Sequence, residues 1–204
     1  MEIWLTSDTH FSHDVEFLYE PRGFTNVKDM NIAIVENWNS VVKPDDEVWH
    51  LGDMALGDID DACKYINQLN GTIHWIQGNH CTKRKVSKII EECPAVREIG
   101  WAYQIKFNKY SFYLSHYPTL TGNYDDKHFS QHVINLHGHT HQQANFLYPN
   151  NPFIYHVGVD SHNCTPVHID EVITDIWQRW NDLQTLKIPI QELYMYPMKE
   201  NKNE

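Results

Sequence analysis

The chain has no apolar run near the ~20 residues needed to cross a bilayer, so a membrane-spanning helix is not expected. It has no Cys-x-x-Cys pair. Cys63, Cys81, Cys93 and Cys164 are widely spaced, and the sequence opens into a strand pattern rather than a signal peptide, so free thiols in a reducing, cytoplasmic setting are expected. Basic residues are scarce, 16 against 27 acidic, for a formal net charge of −11. Phosphate contacts by Lys and Arg supply most non-specific duplex affinity, so duplex nucleic acid is not an expected partner. Repeats and low-complexity tracts are absent. What is present is 204 residues, 41% hydrophobic and 13% aromatic, enough for a sizeable core in one domain.

Periodicity divides the chain into an α/β half and a mostly β half. Strands are expected over Glu2–Ser7, Glu47–Leu51 and Thr72–Gln77, alternating with helices over Lys28–Val42, Asp58–Leu69 and Val86–Cys93. Lys43-Pro44-Asp45-Asp46 ends the first helix, and Asn70-Gly71 is a turn signal. Short strands follow at Trp101–Phe107, Ser111–Ser115, Val133–His137 and Phe153–Val159, with Asn108-Lys109 at a hairpin tip. A helix over Val172–Leu183, with Asp170 as its N-cap, closes the pattern. Helices outside two sheets imply a four-layer α/β/β/α sandwich over residues 1–187. Residues 188–204 read as a tail, partly docked through Leu193, Tyr194, Met195 and Tyr196, with a frayed end. Trp4, Trp38, Trp49, Trp75 and Trp101 fall in regular elements and are expected in the core.

Five short signatures occur in order: Asp8-Thr9-His10, Gly52-Asp53, Gly78-Asn79-His80, Ser115-His116 and Gly138-His139-Thr140-His141. Each follows an apolar, β-rich run, so all five can meet at one sheet edge. Asp and His two residues apart at a strand end project to one side, within reach of one cation. Glycine permits close backbone approach, Asn offers a neutral oxygen, and His can bind metal or move a proton. Taken singly, these motifs also occur as ordinary turns and surface histidines. In series they indicate a metal site.

These residues resemble the calcineurin-like metallophosphoesterase family, and the small bacterial and phage members of it in particular. The likeness extends beyond the signatures, through Ser7-Asp8-Thr9-His10-Phe11, Glu36-Asn37-Trp38-Asn39-Ser40-Val41-Val42-Lys43-Pro44-Asp45, Leu136-His137-Gly138-His139-Thr140-His141 and Val157-Gly158-Val159-Asp160. The resemblance implies the same four-layer sandwich. It also implies two divalent ions, with Asp8, His10 and His141 on the first, Asn79, His116 and His139 on the second, and Asp53 bridging. Imidazole, carboxylate and amide ligands suit manganese, iron, nickel or zinc. The implied reaction is hydrolysis of a small phosphate ester, such as a nucleotide or cyclic nucleotide, by in-line attack of a metal-bridging hydroxide, with His80 as general acid.

One position departs from the family pattern: Cys81 stands where Asp or Glu commonly follows Gly-Asn-His, so the orientation of His80 must come from another group. His13, Arg22, Lys83, Arg84 and His162 are candidate substrate contacts, while Asn37 and Asp160 read as supporting residues. His50, His74, His137 and His156 fall within strands and read as packed or surface histidines. Monoester and diester hydrolysis are not separable from these motifs. A nuclease would need a positive track, for which Lys83-Arg84-Lys85 is the only compact basic run near the site. A non-catalytic module of the same fold would be expected to lack ligands, and none is missing here.

Overall fold

A computed structural model describes residues 1–121 and 128–187. The expected tail, with Leu193 to Tyr196, lies outside the described residues. Strands β1 (Ile3–Thr6), β2 (Glu47–Leu51), β3 (Thr72–Ile76), β4 (Val96–Gly100) and β9 (Val167–His168) form one sheet, in the order β4-β3-β2-β1-β9. All neighbours in it are parallel except β1 and β9. Strands β5 (Ala102–Phe107), β6 (Tyr110–Ser115), β7 (Val133–His137) and β8 (Ile154–His156) form the second sheet in sequence order. There β5 and β6 make the expected hairpin, while β6, β7 and β8 run parallel. The C-terminal ends of β1, β2 and β3 therefore share an edge, and so do those of β6, β7 and β8. A parallel bridge between Ser7 and Gly158 ties the two edges together.

Helix α1 (Glu16–Tyr19) is a single turn, and α2 (Val27–Val41) is the expected first long helix. Asn26 caps α2 by accepting the Asp29 amide. Its buried face carries Met30, Ile34, Val35 and Trp38, and the Trp38 indole N–H donates to the Asn70 carbonyl. Helix α3 (Ile59–Ile66) starts at Asp58, whose carboxylate accepts two backbone amides. Helix α4 (Lys83–Glu92) begins three residues before the expected Val86, because Thr82 accepts the Lys85 amide as N-cap. Helix α5 (Ile169–Thr185) is capped by the His168 ring, which moves Asp170 from the expected cap into the first turn.

Two apolar clusters result. One packs α2, α3 and α4 on the outer face of the first sheet, around Trp38, Ile66, Ile73 and Trp75. The other lies between the sheets and under α5, around Leu5, Leu51, Phe112, Leu136, Tyr155 and Ile176. The α/β/β/α expectation therefore matches the layers. Trp101 corrects the core expectation: it is 60% exposed, because it joins β4 to β5 immediately after Gly100, whose φ is 118°. The expected Phe153–Val159 strand is also shorter. Beyond His156 the chain leaves β7 and crosses to β1 through Gly158.

Candidate metal centre

The five signatures converge as expected. Asp8 and His10 follow β1, Asp53 follows β2, Asn79 and His80 follow β3, His116 follows β6, and His139 and His141 follow β7. Backbone bonds hold the turns in register: the Asp8 amide donates to Gly52, the His10 amide to Asp53, and the Gly138 amide to His116. Asp8, His10, Asp53, His139 and His141 all adopt left-handed backbone, with φ between 48° and 69°. Non-glycine residues pay for that conformation, and such strain concentrates at functional sites. Gly78 has no room for a side chain, since a Cβ there would collide with the Asp53 carboxylate. Gly52 holds a φ of 102°, and a Cβ on it would run into the His116 ring.

Asp8, His10, Asp53 and His116 are almost wholly buried. Asp8 Oδ2 accepts the Ser7 hydroxyl at 2.6 Å and the His139 amide at 2.9 Å. Its Oδ1 has no hydrogen-bond partner, and neither does His10 Nε2. Those two atoms lie 3.9 Å apart, and His10 Nε2 is also 3.9 Å from Asp53 Oδ2. His141 Nε2 approaches Asp8 Oδ1 at 3.7 Å. Potential ligand atoms of Asp8, His10 and His141 thus lie within 4.8 Å of one another, as do those of Asp8, Asp53 and His116. Asp8 belongs to both groups, whereas the implied assignment gave the shared position to Asp53.

Asn79 and His139 join through the second group. Asn79 Oδ1 lies 2.8 Å from His116 Nε2 and 3.0 Å from His139 Nδ1. The opposite nitrogen of His116 is spent on the Leu51 carbonyl at 2.9 Å, which turns Nε2 toward the site. Likewise His141 Nδ1 meets Asp160 Oδ2 at 2.9 Å, which turns its Nε2 toward Asp8.

The electrostatics also fit a cation. Burial pushes the Asp8 carboxyl above its ordinary value, although His116 and His141 pull it back. Burial acts the same way on Asp53, but a hydrogen bond and charge from His116, with the His80 amide, hold it down at about 2. Burial lowers the His10 imidazole well below its usual value, which keeps it neutral. Burial opposes protonation of His116 too, yet Asp53 and Asp8 outweigh it and raise the value. Among the described residues no Lys or Arg pairs with Asp8 or Asp53. Buried carboxylates, a neutral His10 and the unpartnered Asp8 Oδ1 and His10 Nε2 are a donor set for divalent ions.

The catalytic candidate His80 is exposed at the mouth, its ring edge-on to His10 at 5.8 Å. Its backbone amide donates to Asp53 Oδ1 at 3.0 Å. Cys81 does not replace the missing carboxylate: its sulfur accepts the Gly78 amide at 3.2 Å, and burial raises the thiol to about 11.

The expected substrate contacts divide. His13 lines the cavity over the site, its Nδ1 3.2 Å from His10 Nδ1. Arg22 is drawn away into a two-pronged pair with Asp160, at 2.8 and 2.9 Å, and donates to the Asp8 carbonyl. Lys83 and Arg84 are exposed on the first turn of α4 and do not line the cavity. His162 packs near Tyr155 and bonds the His156 carbonyl at 3.1 Å, also off the cavity. Asn37 donates to the Asn163 carbonyl and does not line the cavity. Phe17, Leu18, Pro21 and Leu56 line the cavity although no motif marked them. They are brought together only in the folded chain, so no local signal marks them.

The model of the calcineurin-like phosphoesterase superfamily domain matches residues 1–154. An uncharacterized protein of Methanocaldococcus jannaschii is 33% identical over 183 residues, which cover 84% of this chain and 89% of that one. The gene 66 protein of Mycobacterium phage D29 is 27% identical over 198 residues, covering 85% and 96%. A solved structure, a protein of unknown function from Aquifex aeolicus, superposes with a TM-score of 0.62 at 24% identity, covering 85% of this chain and 98% of that one. That likeness concerns the fold. The chain belongs to the calcineurin-like phosphoesterase superfamily.

Proposed function

We propose that this member of the calcineurin-like phosphoesterase superfamily is a metal-dependent hydrolase of small phosphate esters, chiefly phosphodiesters of nucleotide or cyclic nucleotide type. The observation that carries the reading is the convergence of Asp8, His10, Asp53, Asn79, His116, His139 and His141 at one edge, with Asp8 Oδ1 and His10 Nε2 buried and unpartnered. Two divalent ions, drawn from manganese, iron, nickel and zinc, would be held by those residues. Bound there, such ions neutralise phosphate charge and lower the pKa of an attacking water.

The chain's own residues supply the remaining chemistry. Asp53 sits between His116 at 3.2 Å and His10 at 3.9 Å, and so links the two ligand groups. Asp8 and Asp53, both shielded from solvent, keep their geometry without rearrangement as charge develops. His80, exposed beside the cluster and lining the cavity, would give its proton to the leaving alcohol oxygen in this reading. The acidic surface directs the reading toward a small substrate rather than a polymer.

The role of His80 is tested with esters that differ in leaving-group pKa. His80→Ala is expected to slow hydrolysis of alkyl esters by about 10²–10⁴-fold. The same change should matter far less for p-nitrophenyl esters, whose leaving group needs little protonation. Equal losses on both kinds of ester would contradict the acid role.

A further inference from the structure

The cavity over the candidate metal centre has two chemically different sides. Its floor is made of His10, Asp53, Asn79, His139 and His141. One wall is apolar: Phe17 and Leu18 from α1, Pro21 just beyond it, and Leu56 from the loop after β2. Phe17 is 77% exposed, the most exposed aromatic ring among the described residues, and stands edge-on to His13 with centroids 6.3 Å apart. The volume is about 530 Å³. That falls within the ~300–1,000 Å³ range of pockets that enclose organic ligands, and leaves room for much more than a phosphoryl group. No Lys or Arg lines the cavity among the described residues; Arg22 is spent on Asp160. A second anionic group lying along the Phe17, Leu18, Pro21 and Leu56 wall would therefore be desolvated against apolar side chains, with no Lys or Arg lining that wall.

We propose that the Phe17, Leu18, Pro21 and Leu56 wall is a subsite for an uncharged, planar aromatic alcohol moiety, so that the preferred substrate is a phosphate ester with one phosphoryl centre and an aromatic group. The subsite rests on the phosphoesterase reading and adds the identity of the ester's organic part. An aromatic ring stacked against Phe17 is shielded from water on that face while the phosphoryl group lies over the floor. Esters that place a further charge on this wall are disfavoured, since the wall itself offers that charge no positive partner.

The test uses phosphodiesters that share a ring-free ethanethiol leaving group, read by thiol release, and differ in the second alcohol: methyl, phenyl, or phenyl bearing a phosphate. With the metal-loaded protein, kcat/KM for the phenyl diester is expected to exceed that for the methyl diester roughly tenfold, mainly through KM. The phosphate-bearing diester is expected to fall below the phenyl one. Phe17→Ala should shrink the phenyl-to-methyl ratio at least several-fold, while Phe17→Leu retains part of it. Phe17 is exposed, so folding of these variants is checked simply by their circular dichroism and melting. A phenyl-to-methyl ratio near one, or a ratio unaltered by Phe17→Ala, would overturn the subsite while leaving the phosphoesterase reading intact. Absence of turnover on all three esters would overturn both.

Discussion

Asp160 stands behind His141 and determines which imidazole nitrogen faces Asp8. Its carboxylate accepts from Arg22 through both Nε and a terminal nitrogen, and from His141 Nδ1. Burial pushes Asp160 up, but His141 and Arg22 outweigh it and hold the group well below the usual carboxylate range. The same Arg22 donates to the Asp8 carbonyl, so one cation positions the backbone of one candidate ligand and the counter-charge of another. Asp160→Asn keeps the shape but removes the charge. Metal affinity at the Asp8, His10 and His141 group is expected to fall about 10–100-fold, read by titration calorimetry. Unchanged affinity would mean that Asp160 serves packing alone. Because Arg22 is left buried without its partner, the metal-free variant should also lose about 3–5 kcal/mol in chemical denaturation.

At the scale of elements, Asp46 shows how a turn positions the first ligand strand. Its carboxylate accepts from the Glu2 amide, the Lys43 amide and the Trp4 indole, binding the start of β1 to the turn between α2 and β2. Asp46→Ala leaves those donors unmatched and is expected to cost about 2–4 kcal/mol in urea unfolding. Burial raises the Asp46 carboxyl, but the hydrogen bonds outweigh it and the folded value lies below the ordinary 3.8. A depressed carboxylate adds stability in full above its unfolded value, and that stability is lost as pH falls through the lower folded value. The variant's deficit should accordingly shrink in acid below about pH 4 and persist at neutral pH. A deficit that does not change with pH would remove the charge from the explanation. Trp38, wholly buried on the inner face of α2, should cost about 3–5 kcal/mol when changed to Ala.

The elements that were legible in the sequence are those with periodicity or a strand-to-turn signature. β1, β2, β3, β6 and β7 end in Asp, Asn, His or Gly-containing turns that follow apolar runs, and α2, α3 and α5 carry helical spacing. β4 and β9 were not legible: β4 is an edge strand with alternating partial burial, and β9 has two residues. Helix α1 is one turn long and shows no period. The same limit applies at the site. Ligands that close a strand are visible locally, but the Arg22–Asp160 pair spans 138 residues and leaves no local signal. The apolar wall is likewise assembled from α1 and a distant loop, so it has no motif.

For the whole molecule, a net charge of −11 coexists with a site built to receive cations. Buried Asp8 and Asp53 lack Lys or Arg partners among the described residues, so the folded state carries a cost that bound cations relieve. Divalent ions bind the folded chain better than the unfolded one, and at a hundred times Kd should stabilise it by about 2.7 kcal/mol. Melting in manganese or nickel against melting in chelator checks this, and Asp8→Asn should largely abolish the difference. An equal rise with calcium or with monovalent salt would instead indicate screening of the acidic surface.

The most direct measurement is stepwise reloading of the metal-stripped protein with manganese while following hydrolysis of bis-p-nitrophenyl phosphate, in parallel with Asp53→Asn. The account predicts negligible turnover without metal, recovery that saturates near two equivalents, and no recovery in Asp53→Asn. Turnover that survives complete chelation, or full metal loading without hydrolysis of any phosphate ester, would contradict it.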